Sequence, residues 1–336
     1  MAGRRTNLAL LGALILALAS GWIAFSAGTG WGRIAVIAHG VIGLAVVVLT
    51  PWKSLVARRG LAKRRRGTAA SIGLTVLIVL SVAAGLIHSG GRTGPVAGLS
   101  PMQIHVGAAL LAIPLVVLHL VQRPTVLRRT DLSRRNVLRG LGVVAGGGMI
   151  YAALEFSAKA FNLPGARRRF TGSHEVGSFE PARMPVTQWL NDPVPEVDAS
   201  EWRLAVIASG GQRNWSFPEL RDKDHVDVAA ILDCTGGWFA EQRWQAVPLQ
   251  TLLPDEPRGR SIVVRSTTGY ARRFPIRDLD RLFVATAAGG VPLSAGHGYP
   301  ARLVAPGRRG FWWVKWVDLI AVDDRPWWLQ LPFPAE

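Results

Sequence analysis

Cysteine is scarce in this sequence, and acidic residues are scarce in its first half. Cys234 is the only cysteine among 336 residues, which excludes an internal disulfide framework and leaves a lone thiol as a buried hydrophobe or a working ligand. Asp131 and Glu155 are the only carboxylates before residue 160, although arginine and lysine are frequent there. The sequence contains no Gly-x-Ser-x-Gly elbow, and His174-Glu175 lacks the spacing of a zinc-binding helix. These absences argue against a disulfide-stapled fold, a serine hydrolase and a helix-based zinc peptidase.

Charge and hydropathy divide the chain into two halves. The formal net charge is +17, 49% of the residues are hydrophobic and the mean hydropathy is +0.24. The cations cluster between apolar runs, as they do in membrane proteins, so we do not expect a nucleic-acid ligand. Because nearly all carboxylates follow residue 160, we predict a transmembrane helical domain over 1–160 and a mixed α+β domain over 161–336.

Five apolar runs in the first half are long enough to cross a bilayer, which takes roughly 20 helical residues. A cleaved signal peptide would account for the first run but not for all five. We therefore predict a membrane α-helical bundle of about five transmembrane helices. The runs are Asn7–Ser26, Ile34–Pro51, Thr68–His88, Pro101–Val121 and Val137–Phe156.

The connections between these runs differ in charge. The second-to-third and fourth-to-fifth connections are strongly basic, whereas the other two hold only Arg33 and Arg92. By the positive-inside rule the basic connections are cytoplasmic, so five spans make the chain a multi-pass cell-membrane protein with everything after residue 160 on the extracytoplasmic side. Binding of anionic membrane lipid by the same cations is compatible with this topology. The basic residues are Lys53, Arg58, Arg59, Lys63, Arg64, Arg65 and Arg66, then Arg123, Arg128, Arg129, Arg134, Arg135 and Arg139.

A second signal lies at the start of the fifth run. Residues 133–138, Ser-Arg-Arg-Asn-Val-Leu, resemble the twin-arginine export motif that precedes a modest hydrophobic stretch. That route carries folded proteins, which suits a domain that receives its cofactor in the cytoplasm. Paired arginines at a cytoplasmic helix end are also expected for topology alone. The glycines between Gly140 and Gly148 follow no predicted strand, so they indicate close helix packing rather than a dinucleotide loop.

Four histidines lie in the apolar runs, where ionisable residues are costly and tend to be functional. The fourteen-residue spacing of His105 and His119 puts them on one helix face, roughly 21 Å apart. This resembles b-type cytochromes, in which one helix offers axial ligands at two depths. We expect His39 and His105, near the outer face, to hold one haem b, with His88 as a substitute ligand. Hydrogen bonding between helices is the other interpretation, and His119 has no predicted partner at its own depth.

Beyond residue 170 the pattern changes to short apolar runs separated by proline, glycine and aspartate. This pattern predicts a mixed α+β domain with short helices at Phe217–Arg221 and Leu249–Leu253. The predicted strands are Trp202–Ser209, Val226–Asp233, Ser261–Ser266, Arg281–Ala287, Arg302–Ala305 and Trp312–Val322.

Two segments of this second domain carry candidate chemistry. In the first, an apolar run ends at Cys234 and a glycine turn follows, which places a soft thiolate where a sulfur-binding metal could approach. Ordinary core packing explains the same cysteine. In the second, His297, Arg302 and Lys315 flank a glycine-rich turn, and such donors suit a phosphate, although exposed cations are usually only solvated.

In combination, these segments resemble the molybdopterin domain of the sulfite oxidase family, over about residues 170–325. The motifs are Cys-x-Gly-x-Trp at 234–238, Trp-x-x-Val-Pro-Leu at 244–249, Gly-x-Pro-Leu at 290–293, His-Gly-x-Pro-x-Arg at 297–302 and Lys-Trp at 315–316. The resemblance implies that Cys234 ligates molybdenum, and that His297, Arg302 and Lys315 hold the pterin and its phosphate. Thr286 stands where we expect that family to place a tyrosine over the substrate, so sulfite is not the first substrate we predict.

The resemblance implies oxygen-atom transfer at a molybdenum-molybdopterin cofactor. We expect a small S- or N-oxide as the substrate, because exported bacterial members of the family reduce sulfoxides. Electrons would be exchanged with a membrane quinone through the haem, or with an electron-transfer partner protein. Two alternatives are sulfite dehydrogenase-like oxidation and a non-enzymatic electron-transfer or anchoring protein with a degenerate pterin pocket. The joint presence of the four site residues argues against the second alternative.

Overall fold

The computed structural model describes residues 2–61, 68–95, 98–124, 128–188, 193–253 and 257–331. The chain divides into two compact units, Met1–His174 and Glu175–Glu336. The first unit contains long helices and the second contains two β-sheets. The predicted basic residues Lys63, Arg64, Arg65 and Arg66 lie outside the described residues.

The described part of the first unit contains five long helices. Each of them is long and apolar enough to cross a membrane. Every apolar run predicted from the sequence lies inside one of these helices, so the prediction of five helices is confirmed. The helices are α1 (Ala2–Ser26), α2 (Gly32–Leu61), α3 (Thr68–Ser89), α4 (Pro101–Gln122) and α5 (Arg134–Ala160).

Local sequence explains where α4 begins. The Ser100 side chain accepts a hydrogen bond from the backbone N–H of Gln103, and the Gln103 side chain accepts one from the backbone N–H of Ser100. This capping box satisfies backbone donors that the first helical turn leaves without partners. Pro101 then occupies the first helical position, where its missing N–H costs nothing.

The helices pack in pairs, α1 with α2, α3 with α4, and α2 with α5. Gly147 on α5 lies against the backbone of α2, and a Cβ atom there would stand 2.4 Å from the Val41 carbonyl oxygen and 2.8 Å from the Ala45 nitrogen. Only glycine permits this approach, as is common where membrane helices pack closely. The structure therefore supports close helix packing, and not a dinucleotide loop, for the glycine-rich stretch.

The second unit contains two β-sheets and a five-residue helix, α6 (Phe217–Arg221). A two-residue strand, β1 (His174–Glu175), stands at the boundary of the two units. The remaining strands are β2 (Arg203–Ala208), β3 (Gly211–Ser216), β4 (Val226–Asp233), β5 (Trp238–Pro248), β6 (Ser261–Ser266), β7 (Ala271–Pro275), β8 (Phe283–Ala288), β9 (Val291–Pro292), β10 (Arg302–Val304) and β11 (Val317–Asp323).

The two sheets differ in topology. In one, β5 lies between β4 and β8, and the other side of β8 pairs with β9 and β10, all antiparallel. The other sheet has the order β3-β2-β11-β6-β7, in which β2 and β11 are parallel and the remaining pairs antiparallel. The first sheet positions the candidate site, because β4 ends at Asp233, directly before Cys234.

The strand predictions are confirmed in part. β4, β6 and α6 have the predicted bounds, whereas β1, β3, β5, β7 and β9 were not predicted. Every second residue of β5 from Trp238 to Ala246 is buried, but alanine and glutamine hold three of those positions, which weakens the hydrophobic alternation. The last predicted strand began too early, since a short 3₁₀ turn covers Gly310–Trp312 and the strand starts at Val317.

Candidate cofactor sites

A cavity in the second unit is lined by all four residues predicted to bind a molybdenum cofactor there. Cys234 follows β4, His297 belongs to the 3₁₀ turn Ala295–His297, Arg302 begins β10, and Lys315 lies just before β11. These positions are separated by up to 81 residues in the chain, yet the two sheets bring them to one space.

Cys234 stands in a tight turn between β4 and β5. Its backbone N–H donates to the Trp238 carbonyl (2.9 Å), and the Gly237 N–H donates to the Cys234 carbonyl (3.1 Å). Gly237 adopts φ of +92°, a conformation that suits glycine. The Gly236 N–H points at the sulfur, 3.3 Å away. Burial raises the pKa of the thiol, while the Gly236 N–H and the charge of Arg309 oppose that rise. A bound metal ion would hold the sulfur as a thiolate.

A buried ion pair braces this turn. Arg309 Nη1 donates to Asp233 Oδ1 at 2.5 Å, and both side chains are only 4% exposed. Gly310, the next residue, packs against Cys234, and a Cβ atom on Gly310 would stand 3.0 Å from the Cys234 Cα. The loop that leads to Lys315 is thus held against the end of β4.

Arg302 is a buried cation in the wall of the cavity. Its guanidinium lies 5.0 Å from the Trp244 ring and 5.6 Å from the Trp313 ring, and Nη1 donates to the His297 carbonyl (3.1 Å). Its Nε has no hydrogen-bond partner among the described residues. Burial lowers the pKa of Arg302 to about 9. Buried charge of this kind is costly until an opposite charge binds.

Lys315 and His297 complete the donor set. Lys315 Nζ donates to the Thr187 carbonyl (3.0 Å), the Gln188 side-chain oxygen (3.1 Å) and the Gly296 carbonyl (2.6 Å). Burial, followed by the nearby charge of Arg302, lowers the pKa of Lys315 to about 7. Burial also lowers the pKa of His297 to about 4, with Arg302 and Lys315 adding to the effect. All three groups would bear their positive charges more readily beside an anion.

The chemistry of the lining residues fits an anionic, sulfur-bound metal cofactor. No carboxylate lines the cavity in the described part of the chain, and five aromatic side chains do, Tyr270, Trp238, Phe311, Trp313 and Trp316. The buried Arg302 Nε, which has no partner among the described residues, and the half-buried Lys315 ammonium suit a phosphate group. The Cys234 thiol suits a metal that accepts sulfur.

Sequence reasoning assigned no role at this site to several of its residues and misplaced one. Thr187 and Gln188, which bond Lys315, and Tyr270 line the cavity. Thr286 does not lie beside Cys234. It is buried on β8, where its hydroxyl is 3.2 Å from His225 Nε2, next to the opposite end of β4. The expectation that Thr286 stands over the substrate is therefore not supported by its position.

The helical unit brings together the two histidines predicted to hold a haem. The Nε2 atoms of His39 on α2 and His105 on α4 are 3.4 Å apart, with the rings nearly perpendicular. His39 Nδ1 is 2.9 Å from the Ala17 carbonyl, and His105 Nδ1 is 2.8 Å from the Ser81 carbonyl. The other two histidines have different partners. His88 Nε2 is 3.0 Å from the Gly172 carbonyl and its ring packs on His174, whereas His119 Nδ1 is 3.1 Å from the Ser71 hydroxyl.

This geometry suits metal ligation between His39 and His105. A carbonyl accepts from each Nδ1, so each Nε2 presents a lone pair toward the other, which is the tautomer of a metal-binding histidine. Gly21 on α1 and Gly85 on α3 face the two rings, and a Cβ atom on either would approach a ring atom within 2.9 Å. These two Nε2 atoms would be the protein ligands of a metal held between α2 and α4.

Comparison with known proteins agrees with the geometry of the second unit. Residues 191–328 match the family model of the oxidoreductase molybdopterin binding domain. Mitochondrial sulfite oxidase of Homo sapiens is 25% identical over 169 residues, covering 39% of this chain and 31% of the human protein. The Rattus norvegicus protein is 27% identical (39% and 31%), and sulfite oxidase of Gallus gallus is 28% identical (40% and 38%).

Among solved structures, the sulfane dehydrogenase SoxCD from Paracoccus pantotrophus matches with a TM-score of 0.37 and 25% identity, covering 39% of this chain and 40% of that chain. The chain spans less than two-fifths of the length of the sulfite oxidases it matches. The second unit therefore contains a stretch that matches the oxidoreductase molybdopterin binding domain and is similar in sequence to sulfite oxidases.

Proposed function

We propose that this chain is a membrane-anchored molybdenum-cofactor oxidoreductase that exchanges an oxygen atom with a small S- or N-oxide substrate. The observation that carries the proposal is the convergence of Cys234 with Arg302, Lys315 and His297 in one cavity that no carboxylate of the described chain lines. A thiol beside buried cations offers a metal ligand and an anion site within the same space.

Each side chain has a distinct role in this proposal. Cys234 ligates molybdenum through its sulfur, and the bound cofactor supplies two-electron exchange of an oxygen atom. Arg302 and Lys315 neutralise the pterin phosphate, and His297 donates a hydrogen bond to the pterin or its phosphate. Lys315 is held in place by three acceptor oxygens, so its ammonium is oriented before the cofactor arrives. Trp244 and Trp313 exclude water around Arg302 and strengthen its interaction with an anion.

Electron exchange with the membrane is assigned to the helical unit. His39 and His105 hold a haem b between α2 and α4, and a lipid-soluble quinone or an electron-transfer partner protein completes the route. The paired Nε2 atoms and their carbonyl-bonded Nδ1 atoms support this assignment. The five apolar helices lie in the cell membrane with their basic connections in the cytoplasm, so the catalytic unit lies outside. Export of the folded unit would use the twin arginines Arg134 and Arg135.

Cofactor content of the purified full-length protein tests the proposal. Stoichiometric molybdenum and pterin support it, and their absence from protein made in cofactor-replete cells contradicts it. Lys315→Gln should lower pterin affinity by about 10–100-fold, the size of effect produced by the outer partners of metal sites. Lys223→Gln is the matched control, because Lys223 lies over the Trp215 ring and does not line the cavity.

A substrate screen then separates the two directions of the reaction. With reduced viologen as the electron donor, turnover of sulfoxides or N-oxides supports the reductase. Oxidation of sulfite with an artificial acceptor, and no reductase turnover, would favour the second candidate function, a sulfite dehydrogenase. The sulfite oxidases among the matched relatives favour that second candidate, although this chain covers only 31–38% of their lengths.

A further inference from the structure

A second polar cluster lies at the opposite end of the helices from His39 and His105. We call it the basic cluster, and its members are Asn7 on α1, Lys53 on α2, Ser71 on α3, and His119 and Arg123 at the end of α4. Lys53 Nζ donates to Asn7 Oδ1 (2.9 Å), and His119 Nδ1 lies 3.1 Å from the Ser71 hydroxyl. Lys53 and Arg123 are both near enough to act electrostatically on the His119 imidazole. Four helices thus bring cations and donors to one place.

The spacing of the cluster repeats that of the histidine pair. Lys53 follows His39 on α2 by fourteen residues, and His119 follows His105 on α4 by the same fourteen. Fourteen residues are close to four helical turns, so Lys53 lies on the helix face of His39 and His119 on the face of His105. Four turns after the histidine pair, α2 therefore presents a lysine where it first presented a histidine, and Lys53 acts electrostatically on His119.

That replacement changes what the second position binds. Two imidazoles that face each other offer lone pairs and suit a metal ion. A protonated lysine offers three donors and no lone pair, so a lysine and an imidazole together suit an acceptor that carries negative charge. The same helix geometry therefore presents a cation site at one end and an anion site at the other.

Within the part of the chain that the structure describes, the basic cluster has no salt-bridge partner. Neither Lys53 nor Arg123 forms a salt bridge among the described residues, and Lys53 donates to the neutral amide of Asn7. Asp131, one of two carboxylates in the first unit, is already paired with Arg4 at 2.6 Å. Cations near the ends of membrane helices lie at headgroup depth, where basic pockets between helices bind anionic lipid.

We propose that the basic cluster is a binding site for the phosphate of an anionic phospholipid, held by Lys53 and Arg123 with His119 as a further donor. The site rests on the proposed function in one respect, that α2 and α4 lie in a membrane. Exposed apolar side chains flank the cluster and suit acyl chains, namely Trp52, Leu55, Leu118 and Val121. A phospholipid there would tie α1, α2, α3 and α4 together at one end.

Native mass spectrometry of the full-length protein in mild detergent tests the site. Added phosphatidylglycerol should bind saturably, with about one tightly held molecule per chain, because the described helices contain one such cluster. Phosphatidylcholine should bind about fivefold more weakly. Lys53→Gln and Arg123→Gln should each weaken phosphatidylglycerol binding about fivefold, since each cation near the headgroup contributes roughly that factor. Arg129→Gln, which removes an exposed cation from the adjoining loop, is the matched control and should change nothing.

Three results would overturn the proposal. They are equal retention of the two lipids, unchanged binding in both variants, and an equal loss in the Arg129→Gln control. Competition by millimolar inorganic phosphate at equal affinity would show that a free anion, not a lipid, is the ligand, and would also overturn it. If the Lys53→Gln variant does not fold, phosphatidylglycerol binding by the Arg123→Gln variant is the test. Alkaline carbonate extraction separately tests the part of the proposed function on which the site rests. If α2 and α4 do not lie in a membrane, carbonate would release the chain from membranes.

Discussion

The two candidate cofactor sites make opposite electrostatic demands. In the helices, His39 and His105 face each other through nitrogen lone pairs, since their other ring nitrogens bond to backbone carbonyls. In the cavity, Arg302 is a buried cation and Lys315 a half-buried one, and no carboxylate of the described residues lines the cavity to compensate them. A metal ion completes the first arrangement and an anion completes the second, although the cavity also offers the Cys234 sulfur to a metal.

The difference also shows how each site is held together. The imidazoles are oriented by carbonyls one helix away, Ala17 on α1 for His39 and Ser81 on α3 for His105. The cavity instead depends on segments that meet only when both sheets are formed, with Cys234 at the end of one strand and Lys315 before another. Substitutions of the two histidines should therefore remove the haem without changing the stability of the protein. Substitutions around the cavity should lower both cofactor binding and stability.

The largest expected effect is that of Cys234→Ser. A hydroxyl is a poor ligand for a metal that prefers sulfur, so molybdenum content and turnover should fall by more than about 100-fold, beyond the effect of losing an outer partner. Near-UV circular dichroism should show a folded domain. Thr235→Ser, a neighbouring change in the cavity lining, should keep both metal and activity. Full activity of Cys234→Ser would remove Cys234 from the site.

His39→Ala or His105→Ala should abolish the low-spin b-type spectrum of the purified protein, which we expect to show about one haem per chain. His119→Ala should retain the haem, because His119 bonds Ser71 at the far end of α4. His88→Ala should also retain it, since His88 contacts Gly172 and the His174 ring rather than His105. Loss of haem in His88→Ala with retention in His39→Ala would reverse the assignment. A colourless protein from haem-sufficient cells would leave the helices as an anchor alone.

The helical unit could be predicted from the sequence because its constraints are local. Length and hydropathy are sufficient to find the five helices, and the fourteen-residue spacing predicts that His105 and His119 share a face. Both do contact α3, at Ser81 and Ser71. The contact of His88 with His174 could not be predicted in this way, since it depends on how the chain after α5 folds back on the end of α3.

The structure of the second unit could be predicted from the sequence only where a single strand had a clear apolar stretch or where a motif was present. β4 and β6 each contain an unbroken apolar stretch, residues 228–232 and 262–264. In β5 the alternation of apolar and polar residues is weakened by Ala240, Gln242 and Ala246. The resemblance of separate motifs brought Cys234, His297, Arg302 and Lys315 together. It assigned no role to Thr187 and Gln188, whose oxygens orient Lys315, because that contact forms only in the folded domain.

Export offers a way to separate the two units. Arg134→Lys combined with Arg135→Lys keeps the charge, so the topology of the helices should survive while most of the folded catalytic unit stays inside, if the motif is a twin-arginine signal. Protease protection of intact and lysed spheroplasts measures the location of the unit. Arg128→Lys with Arg129→Lys is the matched control in the same connection. Normal delivery of the double variant to the outside would show that the paired arginines serve topology alone.

Asp233→Asn is the smallest chemical change among these substitutions. It tests whether the buried ion pair stabilises the cavity. This substitution leaves the buried Arg309 guanidinium without its carboxylate, which should cost about 3–5 kcal/mol of unfolding free energy. For a unit of this size the melting temperature should fall by about 6–20 °C. The tryptophan fluorescence of the second unit measures this change.

Asp278→Asn is the matched control, because it breaks the Arg308–Asp278 pair, whose side chains are 31% and 18% exposed. Water can solvate the arginine that remains, so the cost should be below about 1 kcal/mol. If the Asp233→Asn and Asp278→Asn variants have the same melting temperature, the Asp233–Arg309 ion pair does not stabilise the end of β4. A large loss of stability accompanied by loss of molybdenum would show that the position of Cys234 depends on a buried pair that never touches the metal.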